Sequence, residues 1–408
     1  MSISVNIRKQ FPNFTLDVAF DAAAETLGFL GASGCGKSLT LRCIAGLEKP
    51  DEGYIKVGER VFFDSERRIN LTPQQRKTAL LFQNYMLFPN MTVADNIRAG
   101  LPRGLSKQEV HEEVSAQLKR FDLLGFGHRY PMSLSGGQAQ RVALARMLAA
   151  KPEILMLDEP FSALDAHLKE GLEHNLLELF EGYEGCILYV SHDIDEAFRF
   201  CDRIAIYNDG RIDQLSPAPE LVSHPKTLAT LKVSGVKNIV SARPLGDSAP
   251  TKVEVIDWGI VLDCGRVVAA DVKWLGIRAV NIKQVRDDEN AGLAATTASD
   301  ALVATTATDV LAATTASDAL VATTDSDVLV APEASSANNT FCFNVRRVSD
   351  SRFERTVILE HIDEHGNKAP ATINWRTPKR RDSDVRLPER GDRIKLRIPA
   401  EAIYLVSR

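Results

Sequence analysis

The stretch that constrains this chain most is Gly31-Ala32-Ser33-Gly34-Cys35-Gly36-Lys37-Ser38. It sits between the apolar run Leu27–Leu30 and a helix-like run from Leu39 to Gly46. Strand, glycine loop and helix, in that order, are what a phosphate-binding loop requires. Gly31, Gly34 and Gly36 let the backbone curl so that successive N–H groups point inward at an anion. The following helix adds the positive end of its dipole. Lys37 is placed to reach the β- and γ-phosphates, and the Ser38 hydroxyl to take one position on Mg²⁺. A nucleoside triphosphate is the expected ligand. What the chain does with it must be read elsewhere.

At 408 residues the chain has room for two or three domains with ample core. A net charge of −5 offers no electrostatic case for nucleic acid or an anionic membrane surface. The 6 cysteines form no CxxC pair and no metal-like spacing, so they read as free thiols of a reducing compartment. The N-terminal MSISVNIRKQ lacks the apolar centre of a signal peptide. No apolar run approaches the roughly 18 residues a spanning helix needs, so work at a membrane would require other subunits to cross it.

Before the loop, Ile3, Val5, Ile7 and then Leu16, Val18, Phe20 alternate, which predicts antiparallel strands. Phe11 and Phe14 fall at their turn, where a ring either stacks on adenine or packs in the core. After the loop, residues 53–63 predict a hairpin about Gly58-Glu59. Thr78–Phe82 reads as a buried strand ending on Gln83, an amide placed to touch a metal or attacking water, or else simply hydrogen-bonded at a strand boundary. From about 84 to 131 the pattern changes to a small helical subdomain inserted in an α/β domain. Ser106–Glu109 forms a capping box ahead of Val110, Val114, Leu118 and Phe121 at helical spacing. The apolar Tyr85, Met86, Leu87 and Phe88 either meet a protein partner or pack beneath the inserted helices.

Leu134-Ser135-Gly136-Gly137-Gln138 then opens the helical run Ala139–Ala150, a second anion site built on the physics of the first. One chain rarely needs two γ-phosphate sites facing different ways. The strand Ile154–Leu157 ends in Asp158-Glu159: the aspartate can hold Mg²⁺ and the glutamate can polarise the water that attacks the γ-phosphate. Ser162–Asp165 opens a further helix, and Cys186–Val190 is a buried strand ending in Ser191-His192-Asp193. His192 falls at the same sheet edge as Asp158, where ligands of doubly wound sheets collect. The Asn208-Asp209-Gly210 turn is expected to close this α/β domain near residue 220.

These motifs, in this order over residues 1 to about 230, resemble the ATPase subunit of ATP-binding-cassette transporters. The resemblance implies ATP and Mg²⁺ as ligands. Phe11 then matches the adenine-stacking aromatic, and Gly31–Ser38 (Gly31, Ala32, Ser33, Gly34, Cys35, Gly36, Lys37 and Ser38) the phosphate loop. Gln83 matches the glutamine that senses Mg²⁺ and the transport subunit, so that Ser38, Gln83 and Asp158 form the metal set. Ser135, Gly136, Gly137 and Gln138 match the signature that binds the γ-phosphate of the other subunit's ATP, with Asp165 in the cross-dimer loop. Glu159 matches the catalytic base and His192 the switch histidine. Phe63–Glu66, Ile69–Pro73 and Leu81–Pro89 look like molybdate-import ATPases, with sulfate/thiosulfate-import ATPases as close relatives.

After residue 231 the pattern becomes β-rich, with segments at Lys252–Ile256, Gly259–Leu262 and Ala279–Val285. Asn238–Arg243 is similar to the start of the oligonucleotide-fold barrels (TOBE/Mop type) appended to such importers, and Lys237 and Arg243 read either as oxyanion ligands or as structural. Residues 291–339 interrupt this domain with four near-identical nonads, ATTASDALV at 295–303 being the first. Without glycine, basic residues or many large apolar groups they are expected to be a disordered loop rather than a solenoid. The β pattern resumes from Phe341 and completes a domain of 231–290 plus 340–408.

The expected protein is therefore the peripheral ATPase on the cytoplasmic face of an oxyanion importer. It would act as a homodimer with two integral-membrane permease subunits and an extracytoplasmic oxyanion-binding protein, without nucleic acid. A soluble cassette ATPase working on nucleic acid or ribosomes is the alternative of another class, and a β domain acting chiefly as oxyanion sensor a third. A single cassette, no coiled coil and an acidic balance count against the former, and the full hydrolytic set against the latter.

Overall fold

The computed structural model describes residues 2–82, 85–162, 166–285, 339–362, 366–379 and 387–408, and between 166 and 175 only the side chains of Lys169 and Glu173. Gln83, Asp165 and the nonad repeats lie outside the described residues. The chain divides into two compact units, Met1–Ile239 with Val406–Arg408, and Val240–Leu405.

The first unit opens with the expected hairpin of β1 (Ile3–Phe11) and β2 (Phe14–Ala22), paired from Ile3↔Ala22 to Phe11↔Phe14. Next come β3 (Thr26–Gly31) and α1 (Lys37–Ala45), the strand and helix predicted around the glycine loop. β4 (Glu52–Val57), β5 (Arg60–Asp64) and β6 (Ile69–Asn70) join the hairpin in an antiparallel sheet of order β2-β1-β4-β5-β6. A short α2 (Pro73–Arg76) leads to β7 (Thr78–Leu81).

The helical insertion follows as α3 (Val93–Arg98), α4 (Lys107–Arg120) and α5 (Gly136–Ala149). α4 starts where its capping box says it should: the Glu109 N–H donates to Ser106 Oγ at 3.2 Å, and the Ser106 N–H to Glu109 Oε2 at 2.7 Å.

Chain order then alternates β8 (Ile154–Asp158), α6 (Ala166–Glu181), β9 (Cys186–Val190), α7 (Ile194–Phe200) and β10 (Arg203–Asn208). These strands build the central sheet β11-β10-β3-β9-β8-β7, parallel except for the edge strand β11 (Arg211–Pro217). β3 and β9 are buried at every position, which is why they read as unbroken apolar runs: helices or a second sheet cover both faces. Alternate residues feed two cores. Leu30, Leu157 and Tyr189 pack with the helical insertion, whereas Phe29, Met156 and Leu188 pack with β1, β2 and α1.

The β10–β11 turn is closed by Asp209 at φ 43° and Gly210 at φ 78°, the backbone a tight hairpin needs. The unit does not end near 220, as the turn had suggested. It continues through α8 (Ala218–Ser223) and α9 (Leu228–Val233), so a cut at 230 would divide a helix.

The second unit is all-β, consistent with the TOBE-type expectation. β12 (Asn238–Pro244), β13 (Lys252–Val255), β14 (Ile260–Asp263), β15 (Trp274–Ile277) and β21 (Ile403–Val406) form one sheet. β16 (Lys283–Gln284), β17 (Thr340–Asp350), β18 (Glu354–Glu360), β19 (Ile373–Pro378) and β20 (Arg393–Arg397) form the other. Both contribute to one apolar core that includes Trp258, Leu275, Phe343 and Trp375. Two details correct the sequence reading. Ala279–Val285 is mostly turn, with only the two-residue β16 inside it, and the true strand before it is β15. β15 escaped notice because its run Trp274-Leu-Gly-Ile277 is short, glycine-interrupted and nearly all buried, so it shows no alternation.

Candidate active site

The parallel strands set the site. Phe29 pairs with Val190 and Asp158 also pairs with Val190, so β3, β8 and β9 release their following loops at one level of one sheet edge. From β3 comes the glycine loop. Gly31 has no room for a side chain, since a Cβ there would lie 2.3 Å from the Tyr207 carbonyl oxygen. Gly36 combines φ 108° with a would-be Cβ 2.7 Å from Leu16 Cδ1 and 3.2 Å from Phe14 Cζ. The loop is strapped from outside as well. The Gly210 N–H donates to the Cys35 carbonyl at 3.1 Å, and the Gly210 carbonyl accepts from the Asp17 N–H at 2.7 Å.

Lys37 is buried, at 5% exposure, and its ammonium is held by the loop itself. It donates to the carbonyls of Gly31 (2.8 Å) and Ala32 (2.9 Å), with Cys35 Sγ at 3.7 Å. Two strong partners leave the third N–H on a weak sulfur acceptor, the position most easily given up to a phosphate oxygen.

Ser38 Oγ donates to Asp158 Oδ1 at 2.7 Å. Burial pushes the Asp158 carboxyl above the ordinary carboxylate range; the Ser38 hydrogen bond opposes this and the neighbouring Glu159 adds to it. Among the described residues no three His, Cys, Asp or Glu side chains cluster in a metal-holding group. Two hard oxygens beside a phosphate loop are, however, what Mg²⁺ takes when waters and phosphate oxygens complete its shell. The donor set fits.

Glu159 follows with φ 47°, an uncommon value outside glycine. It is fixed at both backbone groups. Its N–H donates to the Val190 carbonyl at 3.0 Å, and its carbonyl accepts from Ser162 Oγ at 3.0 Å. Its carboxylate Oε2 lies 3.3 Å from His192 Nδ1 at the end of β9. Gly31, Ala32, Ser33, Glu159, His192 and the flanking Asp193 and Ile194 line one open cleft of about 790 Å³, together with Lys232 and Val233 of α9. Lys232 was missed from sequence, because α9 lies beyond the expected end of the domain and a lone lysine on a short helix carries no motif.

Behind the cleft is a buried polar network. Glu196 accepts from Ser191 Oγ at 2.6 Å and from Tyr189 Oη at 3.1 Å, and pairs with Lys169 at 2.6 Å. Burial alone would lower the Lys169 ammonium, but the carboxylates of Glu196 and Asp193 outweigh it and leave its pKa raised. The network ties α6 to the segment that carries His192.

Ser135–Gln138 do not line this cleft. They sit at the start of α5, where the Gln138 N–H donates to Ser135 Oγ at 3.3 Å and the Ser135 N–H to Gln138 Oε1 at 3.0 Å, with Ser135 and Gly136 exposed. Phe11 does not line it either. Its ring stands 6.4 Å from that of Phe14 with Lys9 over it at 5.2 Å, and it is Phe14 that approaches Gly36.

The apolar stretch after residue 84 divides between its two readings. Tyr85 and Leu87 pack on the helical core, while Met86, Phe88 and Met91 stay exposed at 53%, 45% and 41%. Tyr85 and Met86 both have positive φ, and Arg146 holds their carbonyls at 3.0 and 2.8 Å.

The chain is similar in sequence to several known proteins. The family described as "ABC transporter" matches residues 16–162. A sulfate/thiosulfate import ATP-binding protein of Mesostigma viride is 39% identical over 269 residues, covering 63% of this chain and 75% of its own length. An Fe(3+) ions import ATP-binding protein of Rhizobium etli is 40% identical over 246 residues, covering 59% and 68%. A spermidine/putrescine import ATP-binding protein of Nitrosospira multiformis is 36% identical over 290 residues, covering 69% and 77%. Among solved structures, a dimeric ATP-binding cassette bound to ADP and Pi is 29% identical and covers 53% of this chain and 99% of that one, at a TM-score of 0.46.

Proposed function

This chain belongs to the ABC transporter family, as the ATP-hydrolysing subunit of an import system, and on that premise we propose that it drives uptake of an oxyanion, molybdate first and sulfate or thiosulfate second. The observation that carries the ATPase reading is the meeting of Ser38 with Asp158 and of Glu159 with His192 at one sheet edge beside the Lys37 loop, while Ser135–Gln138 do not line the cleft there.

In this reading the N–H groups of Gly34–Ser38 and the Lys37 ammonium bind the β- and γ-phosphates. Ser38 and Asp158 would hold Mg²⁺, with Gln83 as a further ligand. The ion supplies neutralisation of the charge that builds on the phosphoryl oxygens. Glu159 Oε2 takes the proton of the attacking water, and His192, 3.3 Å away, orients that carboxylate. Ser135–Gln138 cap the γ-phosphate held by a second copy, with Asp165 across the same seam, and Phe11 offers a ring to adenine. A homodimer then closes around two ATP molecules. The exposed Met86, Phe88 and Met91 are the surface that two permease subunits grip on the cytoplasmic side of the membrane, with an extracytoplasmic binding protein delivering the ion.

Among the described residues no helix is long and apolar enough to cross a membrane. Molybdate rests on the Phe63–Glu66, Ile69–Pro73 and Leu81–Pro89 stretches, and sulfate on the relative that is 39% identical. The test is to co-purify the chain with its permease and binding protein and measure which oxyanion the binding protein retains and which one raises ATPase activity. Molybdate alone supports the first choice and sulfate alone the second. Stimulation by Fe³⁺ or a polyamine, the cargoes named for other relatives, overturns both.

A further inference from the structure

The second unit carries a cluster that ATP hydrolysis does not use. A β-bulge between Val345 and Arg347 interrupts the pairing of β17 with β18. A bulge inserts one residue into the alternation and re-aims the side chains around it. Here the burial sequence runs Phe343 in, Asn344 half-buried, Val345 in, then Arg346 and Arg347 both out. Without the bulge two adjacent arginines would point to opposite faces; with it both lie on the solvent face, Arg347 directly opposite Ile358.

The loop carrying Arg390 is pinned beside the bulge. The Gly391 N–H donates to the Val345 carbonyl at 2.9 Å, and the Val345 N–H donates to the Asp392 carbonyl at 2.8 Å. Arg346, Arg347 and Arg390, with Val348, Ile358 and Thr372, line a recess of about 670 Å³.

The carboxylates of this sheet are already engaged: Asp350 by Arg355 and Lys379, Glu354 by Arg376, and Glu360 by Lys368. None of the three recess guanidinium groups has an ion pair or hydrogen bond to any described residue. In a chain of net charge −5, three guanidinium groups lining one recess, none of them paired among the described residues, are a provision for an anion.

We propose that this recess binds a phosphorylated small organic molecule. The guanidinium fork matches a phosphate in a bidentate way that a lysine cannot. Size argues for an organic body. A bare tetrahedral oxyanion displaces only a few waters at about 30 Å³ each, far less than this recess, which falls in the range of small-molecule sites. Val348 and Ile358 supply the apolar wall on which that body rests, and Thr372 a hydroxyl at its edge.

The test is calorimetric titration of the full chain, presaturated with ADP and Mg²⁺ so that the glycine loop is occupied. Phenyl phosphate is the probe, and inorganic phosphate and molybdate are the comparisons. Phenyl phosphate should bind once per chain and about tenfold or more tighter than either inorganic ion, while Arg347→Ala and Arg390→Ala should each weaken it by about tenfold or more. Arg352→Ala, an exposed arginine outside the recess, should leave it unchanged. Unchanged thermal midpoints of the variants show that they fold. No binding of phenyl phosphate, binding indifferent to Arg347 and Arg390, or equal binding of the inorganic ions each overturns the proposal.

Discussion

Ser38 Oγ donates to Asp158 Oδ1 across 2.7 Å, and that one bond fastens the first turn of α1 to the end of β8. It sets two hard oxygens side by side, where among the described residues no three His, Cys, Asp or Glu side chains form a metal-holding cluster. Ser38→Ala and Asp158→Asn should each lower Mg²⁺-dependent ATP hydrolysis by about 10²–10³-fold, the scale of one lost electrostatic contact to a transition state. A steady-state phosphate-release assay across Mg²⁺ concentrations checks this. Activity within twofold of wild type in Asp158→Asn would remove it from the metal set.

The same aspartate should weaken the nucleotide-free protein. Its carboxyl is held above the ordinary range by burial, so the folded state favours the protonated form. The resulting stabilisation is complete below the ordinary carboxylate pKa and disappears as pH rises through the raised value. Asp158→Asn, which keeps an oxygen acceptor for Ser38, should therefore unfold at a higher temperature than wild type at neutral pH. The gap should narrow as the pH falls towards the ordinary carboxylate value. Differential scanning calorimetry from pH 4 to 8 reads it out, and a gap that widens on acidification contradicts the assignment.

Glu159 and His192 form a pair at 3.3 Å, and a variant of either should lose turnover while still binding nucleotide. Glu159→Gln keeps the shape and removes the proposed base, so hydrolysis should fall by about 10²–10⁴-fold while ATP still binds. With ATP present this variant should accumulate as a dimer, visible by light scattering after gel filtration. His192→Ala should also lose turnover, because the carboxylate is no longer oriented, while its nucleotide affinity changes little. Near-normal turnover in Glu159→Gln would displace it as the base.

If Ser135–Gln138 serve the other copy's nucleotide, lesions in the loop and in the signature should complement each other. Lys37→Ala and Ser135→Arg homodimers should both be inactive. Mixed one to one, half the dimers pair one of each, and each of those keeps one intact site, so about a quarter of the sites are restored. Recovery of hydrolysis on mixing checks this, and its complete absence would mean either that loop and signature act within one chain or that both sites must be intact.

Lys169 neutralises Glu196, which is only 8% exposed and also accepts from Ser191 and Tyr189. Lys169→Met leaves that carboxylate uncompensated and should cost about 2 kcal/mol, below the range for a fully buried pair because the lysine is partly solvated. Adding Glu196→Gln should restore most of the loss in chemical denaturation. A double variant no more stable than Lys169→Met would show that the pair is not what is being measured.

Much of this was legible in the residues. Glycines demanded by positive φ and close approach, as at Gly31 and Gly36, leave a spacing that reads directly as a loop. Strands buried on both faces, such as β3 and β9, announce themselves as unbroken apolar runs. What was hidden depends on geometry that spacing does not encode. Phe11 and Phe14 look alike in the sequence, and only the hairpin register puts Phe14 against Gly36. Lys232 reaches the cleft because α9 folds back onto a sheet whose end had been placed too early. The bulge at Arg346-Arg347 cannot be anticipated from a period of two that it breaks.

The Asp209–Gly210 hairpin has a further consequence. Through Gly210 it holds the glycine loop by the Cys35 carbonyl and is itself held by Asp17. Together with Leu16 and Phe14 packed beneath Gly36, it fixes the loop's conformation when the chain folds. The ordering entropy of the loop is thus surrendered before any nucleotide arrives. A ligand that need not organise its own cradle keeps more of its binding free energy for a different task, drawing a second copy of the chain against the first.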